Sequence, residues 1–259
     1  MNESTFILKD INQYLVFISQ VKNLSENTTK SYERDLRKLS AFIKELKISN
    51  YSDISPEICS AWIGNLYNQN NNPKSIQRHL SSAKGFFRFL KKNNLVDSSP
   101  FELITAPKSP NTLPEVLSPE NVEQLLNFKP TNLIEIRDLA IVELMYSSGL
   151  RVSETVNINL SDFEDNMSFL RVFGKGSKTR LVPLGRFAIN AIKNWLVERQ
   201  KIATKTEALF LNSKGTRLSV RSVQIRLKKM AVKQGLPPIH PHMLRLSLIH
   251  ISEPTRQLC

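Results

Sequence analysis

Along residues 25–46 the apolar positions recur in steps of three and four: Tyr32, Leu36, Leu39, Ile43 and Leu46 fall on one stripe, the spacing of a single helix face. Ser25 stands where an N-cap hydroxyl would open that helix. The flanking segments predict a helix near Phe6 to Val21 and another near Pro56 to Tyr67, the latter with Ser55 as cap and a proline in its first turn. A fourth helix is predicted from about Pro73 to Lys92. Its apolar side is Ile76, Leu80, Ala83, Phe87 and Leu90, while Lys74, Arg78, Ser81, Gly85, Arg88 and Lys92 share the other side. Small residues between cations would let a phosphate backbone approach closely; the same pattern also fits a solvated helix face.

The periodicity then stops. APKSPNTLPEVLSPE places prolines at 107, 110, 114 and 119, which disfavours regular structure and suits an extended connector. The pattern therefore divides the chain into a helical domain over 1–105, a linker over 106–117 and a second domain from 118. Ser118 opens a helical stretch through Leu126, and a longer helix covers Glu135 to Ser147. FLRVFGKGSKTRLVPL holds two short runs of β-branched and aromatic residues around a Gly-Lys-Gly-Ser turn, the pattern of a β-hairpin. Helices return at about Phe187 to Ile202 and from Val220 to Gln234, with Gly235 as C-cap. The fold class expected is mainly α with a small β-hairpin or sheet in the second domain.

Composition sharpens this picture at one point. Hydrophobic residues make up 41% of the 259 residues, enough to build two cores. No apolar run has the length of a membrane span, so no membrane insertion is expected. Two cysteines, Cys59 and Cys259, form no redox or zinc-binding pattern, and a cytoplasmic setting is expected. The net charge is +13, yet Arg171 to Arg245 alone contribute seventeen Lys and Arg against Glu198 and Glu207, or +15, leaving −2 for everything else. So one-sided a segment points to a polyanionic partner, because cations that neutralise phosphates release condensed counterions.

Three short motifs could carry chemistry. GKGSKT is not a nucleotide-binding P-loop, since Phe169 and Gly176 occupy positions where that loop needs Gly and Ser or Thr. Lys175 is instead expected at a hairpin tip, free to meet an anion or merely solvated. SSGLRVSET places Arg151 after a helix and a turn with Glu154 three residues on, an arrangement that fits a guanidinium aimed at phosphate by a carboxylate, or a surface ion pair. HPHMLR sets His242 and Arg245 three apart, so that on a helix both project to one side and can serve proton transfer at a phosphodiester. His240 would point elsewhere, and no carboxylate or thiolate lies near to complete a metal site.

The order SSGLRVSE, GKGSKTRLVPLG, HPHMLR resembles the tyrosine recombinase (phage integrase) family, and the four-helix region before it resembles that family's SAM-like core-binding domain. The resemblance runs from Met1 to Arg245. Within the family it is closest to the Xer recombinases and, through TAPKSPNTLPEVL and RSVQIRLKKMAVKQGL, to the XerC branch. It implies that Arg151 and Arg245 clamp the non-bridging oxygens of a scissile phosphate, that Lys175 protonates the leaving 5′ oxygen and that His242 assists as acid or base. A tyrosine nucleophile would form a 3′-phosphotyrosine intermediate, with no cofactor and no metal. Lys74, Arg78, Arg88, Lys92, Lys178, Arg180 and Arg221 are the expected DNA contacts. The partners implied are double-stranded DNA, a second, XerD-like recombinase in a heterotetrameric synapse, and a DNA translocase of the division septum; the role implied is resolution of chromosome dimers. A phage or mobile-element integrase and a non-catalytic DNA-binding module are the alternatives.

The tail departs from the family. Leu246 stands where the family usually has the histidine of LRHS, and the last tyrosine is Tyr146, upstream of the catalytic motifs. LSLIHISEPTR, Leu246 to Arg256, also resembles the translation of a transposon-end adapter used in preparing sequencing libraries. The catalytic domain is accordingly expected to be truncated at 245 and followed by a non-native tail over 246–259. Such a chain would lack the nucleophile, be inactive as written, and expose core residues around the helix from Val220.

Overall fold

A computed structural model of the chain describes residues 5–105, 116–174 and 179–247. The Pro-rich connector over 106–115, Lys175 and Lys178 of the hairpin tip, and the tail from 248 lie outside the described residues. The chain divides into two units, Met1–Thr112 and Leu113–Cys259.

In the first unit the apolar stripes become four helices: α1 (Thr5–Gln20), α2 (Glu26–Glu45), α3 (Pro56–Asn68) and α4 (Pro73–Lys92). Ser25 caps α2 as expected, its hydroxyl accepting from the Thr28 amide at 3.2 Å. Ser55 holds the N-cap position of α3 but makes no side-chain cap hydrogen bond; its hydroxyl turns to the Glu57 carboxylate instead. Beyond each helix the chain turns through a residue with positive φ, Asn23, Lys47, Asn70 and Asn94 in order. Asparagine tolerates that left-handed region better than most side chains, which is why it can stop a helix.

Leu36, Leu39 and Ile43 of α2 and Ile76, Leu80, Ala83, Phe87 and Leu90 of α4 are buried together with Trp62 and Phe101. The stripe ends sooner than its spacing suggests. Tyr32 is half-buried at its start, and Leu46 is 47% exposed because it caps α2 rather than continuing it.

The second unit holds α5 (Pro119–Leu126), α6 (Leu133–Ser148), α7 (Val152–Asn157), three strands β1 (Phe163–Glu164), β2 (Phe169–Phe173) and β3 (Thr179–Pro183), then α8 (Arg186–Arg199) and α9 (Val220–Lys233). A helical segment, α10, covers residues 241–247. β2 and β3 form the expected antiparallel pair, with Leu170 opposite Val182 and Val172 opposite Arg180. β1 adds to β2 on the other edge, making a three-stranded antiparallel sheet. At two residues it is too short for alternation to be read in sequence.

Helix α6 is the centre of this unit. Ala140, Ile141, Leu144 and Met145 pack into one cluster with the sheet, Trp195 of α8 and Phe210. Val142 faces a second cluster with α5, α9 and Met243 and Leu244 of α10. Being apolar on more than one side, α6 shows little amphipathic pattern. Its second turn carries buried charge with partners: Arg137 donates to Asp138 and to the Leu211 carbonyl (2.8 Å), and Asp138 also accepts from Arg226 of α9 (2.5 Å). Gly235, with φ of 71°, follows the cap residue Gln234 of α9. No helix of the described residues is long and apolar enough to cross a membrane.

Candidate active site

Helix α6 ends on Gly149, whose φ of 57° and ψ of 29° turn the chain sharply. A side chain is disfavoured in that conformation, so glycine is what lets α6 stop and α7 start three residues later. Leu150 is fully buried and anchors the turn, leaving Arg151 at the N-cap of α7 with its side chain 57% exposed.

Glu154, one turn into α7, organises the surroundings. Its carboxylate accepts from the Arg151 amide (2.9 Å) and the Arg151 guanidinium (3.0 Å). From strand β3, Arg180 donates two further bonds to the same carboxylate, at 3.1 and 2.9 Å. The Glu154 side chain is only 5% exposed. Burial pushes its carboxyl upward, but the bonds from Arg180 and Arg151 together outweigh burial and hold it at about 2. It is therefore an anion throughout the physiological range.

Arg245 on α10 completes the cluster. Its guanidinium is weakened as an acid-stable cation first by burial and then by Arg151 and Arg180, with Glu154 opposing them. Three guanidiniums and one carboxylate thus share a neighbourhood with a formal charge of +2. The Arg245 Nη1 is buried and has no hydrogen-bond partner among the described residues. A buried, unpaired donor beside excess positive charge is costly unless an anion supplies the acceptor. His242 is exposed one helical turn before Arg245. Lys175 lies outside the described residues.

The expected DNA contacts fall in different circumstances. Lys74, Arg88 and Lys92 are exposed on α4, with the Lys92 ammonium 5.9 Å from the Phe17 ring centre. Arg78 is half-exposed, and two of its nitrogens bind the buried Asp35 carboxylate at 2.8 and 2.9 Å. Gly85, expected to admit a phosphate backbone, instead admits a side chain: a Cβ built there would lie 2.3 Å from the Tyr14 hydroxyl. Arg221 is exposed at the start of α9 and lines an open groove with Gln224, Lys228 and His240. Arg180 spends both terminal nitrogens on Glu154. Among the described residues no group of three or more His, Cys, Asp or Glu side chains converges.

Motif reading singled out Arg151, Glu154, His242 and Arg245; the structure brings Arg151, Glu154 and Arg245 together with Arg180, whose link to Glu154 the motifs did not give. A signal was available: alternation in β3 puts Arg180 on the same side as Val182, toward the sheet's buried face.

Comparison with known proteins identifies the family of both units. Residues 115–251 match the phage integrase family model, and residues 11–94 match the phage integrase N-terminal SAM-like domain. The tyrosine recombinase XerC of Shewanella amazonensis is 35% identical over 92% of this chain and 79% of its own length. XerC of Haemophilus influenzae is 34% identical over 97% and 86%. Among solved structures, XerH bound to its difH substrate before cleavage superposes with a TM-score of 0.78 at 18% identity, over 99% of this chain and 88% of that one. A lambda integrase dimer on a core site gives 0.74 at 16% identity, over 95% and 89%; at such identities these two speak for the fold. Family models spanning both units, and relatives above 30% identity over most of their length, establish that the chain belongs to the phage integrase family as a XerC-like tyrosine recombinase, of the enzymes that cut and rejoin DNA.

Proposed function

We propose that the cluster of Arg151, Arg245 and Glu154 binds the scissile phosphate of double-stranded DNA. The buried, partnerless Nη1 of Arg245 carries this reading, because a non-bridging phosphate oxygen is the acceptor it lacks. Arg151, aimed by Glu154, takes the other non-bridging oxygen. Both guanidiniums gain as negative charge grows on the pentacovalent phosphorus. In the reaction a tyrosine oxygen forms a bond to phosphorus, the phosphorus–O5′ bond breaks, and Lys175 delivers a proton to O5′. His242 moves the proton on the attacking side. None of the five tyrosines of the sequence is assigned as that nucleophile.

Residues 1–105 act as a DNA-binding domain and 118–245 as the catalytic domain, with 106–117 between them. Lys74, Arg78, Arg88 and Lys92 of α4, Lys178 of the hairpin and Arg221 of α9 hold the DNA backbone. Solved relatives bound to DNA, including XerH on a palindromic difH substrate, support this reading. The likeness to XerC supports a role in resolving chromosome dimers; we propose further that the protein works in the cytoplasm with a second, XerD-like recombinase in a heterotetrameric synapse and a septal DNA translocase as regulator.

Selection from a randomised duplex pool tests the reading. The chain should enrich a site of two related half-sites, and in a protein that carries the family's tyrosine nucleophile Arg151→Ala and Arg245→Ala should abolish strand cleavage there while leaving the selected sequence unchanged. Enrichment of no sequence, or normal cleavage by either variant, overturns it.

A further inference from the structure

The Glu154 carboxylate has two customers. One is Arg151, the proposed phosphate clamp; the other is Arg180, 26 positions further along the chain on a different element. Arg180 lies opposite Val172 in the ladder, one pair in from Phe173 and Thr179. Its two bonds to Glu154 are parallel, one nitrogen to each oxygen, a geometry that fixes direction as well as distance.

We infer that Arg180 is a positioning residue for the recombinase reaction: by chelating Glu154 it ties strand β3 to the start of α7 and holds in place the carboxylate that aims the Arg151 clamp. This rests on the assignment of Arg151 above. A merely cationic Arg180 would serve as well from any rotamer and would have no use for a buried carboxylate. Bound as it is, its guanidinium is fixed on Glu154 although the side chain stays 41% exposed. Chelation also ranks the two arginines: Arg180 holds both Glu154 oxygens, Arg151 holds one through a single guanidinium nitrogen, and so Arg151 keeps nitrogens for a phosphate.

The test separates shape from charge. Arg180→Lys keeps the positive charge but cannot bind two oxygens in parallel. In the recombinase on its DNA site, this variant should cleave at saturating duplex at least about tenfold more slowly while its Kd for DNA moves less than about threefold. Amide exchange at Leu181 and Phe173 should speed up while exchange at Leu209 stays as it was. Glu154→Gln should reproduce the cleavage defect, and the double variant should be no worse than either single one, because both break the same chelate. Wild-type cleavage by Arg180→Lys, a defect seen only in Kd, or additive losses in the double variant would each overturn the inference. Normal cleavage by Arg151→Ala would instead sink the clamp assignment, so the two failures are distinguishable.

Discussion

Asp35 and Arg78 lie 43 positions apart, on α2 and α4, and are joined by two hydrogen bonds of 2.8 and 2.9 Å. The carboxylate is buried, at 1% side-chain exposure, while the guanidinium is 42% exposed. The neighbouring His79 Nδ1 is 3.2 Å from the same carboxylate without completing a hydrogen bond. Arg78 is thus what makes a charged Asp35 tolerable inside the first unit.

Arg78→Ala should therefore destabilise that unit by about 2 to 3 kcal/mol, less than a fully buried pair because Arg78 is partly solvated. Arg88→Ala, which removes a cation with no such partner, should leave Tm within a degree or so and flatten the salt dependence of DNA binding by about one phosphate contact. Thermal melts and binding isotherms at several salt concentrations read both effects. Equal Tm values for the two variants would contradict the role given to Arg78.

Gly85 offers a second test of the same unit. Its missing Cβ makes room for the Tyr14 hydroxyl, and the Tyr14 ring is wedged between Phe86 and Phe89 at centroid distances of 5.8 and 5.5 Å. Gly85→Ala should lower stability despite the better helix propensity of alanine, which is worth about 1 kcal/mol. In a Tyr14→Phe background the nearest ring atom is 3.4 Å from the new Cβ, so the same substitution should become neutral or stabilising. Denaturant titrations of the four variants give the cycle directly; a Gly85→Ala effect unchanged by Tyr14→Phe would refute the contact.

Acid should attack the second unit through two carboxylates. Glu154 is held at about 2 against burial by Arg180 and Arg151, and Glu135 at about 2 chiefly by Lys233 and the Thr131 amide. Both are depressed below the ordinary value of 4.5, so the unfolded chain binds more protons between the two pKa values. Their stabilisation is full above about pH 4.5 and is lost as pH falls toward 2, by at most about 3 kcal/mol each. Glu154→Gln should flatten that limb of the stability curve, as urea titrations from pH 2 to 6 would reveal. A steeper limb in the variant would be the wrong sign.

Arg245 should trade stability against activity. Its burial and its cationic neighbours oppose the charge, and its Nη1 lacks a partner. Arg245→Met should then raise the stability of the DNA-free protein by about 1 kcal/mol, while costing roughly 3 to 5 kcal/mol at the transition state of strand cleavage. Calorimetry and single-turnover cleavage measure the two sides. A less stable Arg245→Met would remove the reason for expecting an anion at that nitrogen.

The pattern of the sequence was enough for the first unit because its helices are amphipathic: burial on one face and water on the other leave the 3.6-residue period of α2 and α4 visible in the residue types. It was weaker in the second unit, where α6 is apolar on several sides and β1 is two residues long. Of the site, Arg151, Glu154, His242 and Arg245 stood out because each falls within a few residues of another polar group in a short motif.

What the sequence determined by itself is the four helices of the first unit, the longer helices and the β2–β3 pair of the second, the concentration of positive charge between Arg171 and Arg245, and the family to which its three ordered motifs belong. Tertiary structure alone decided which charges face one another. That Glu154 meets Arg180, that Asp35 meets Arg78, and that Arg245 keeps an unpaired nitrogen near Arg151 depend on packing between elements 26 to 94 residues apart. Periodicity records only whether a residue is turned inward; the partner it finds there is set by the burial that desolvates both groups and makes an unpaired one costly.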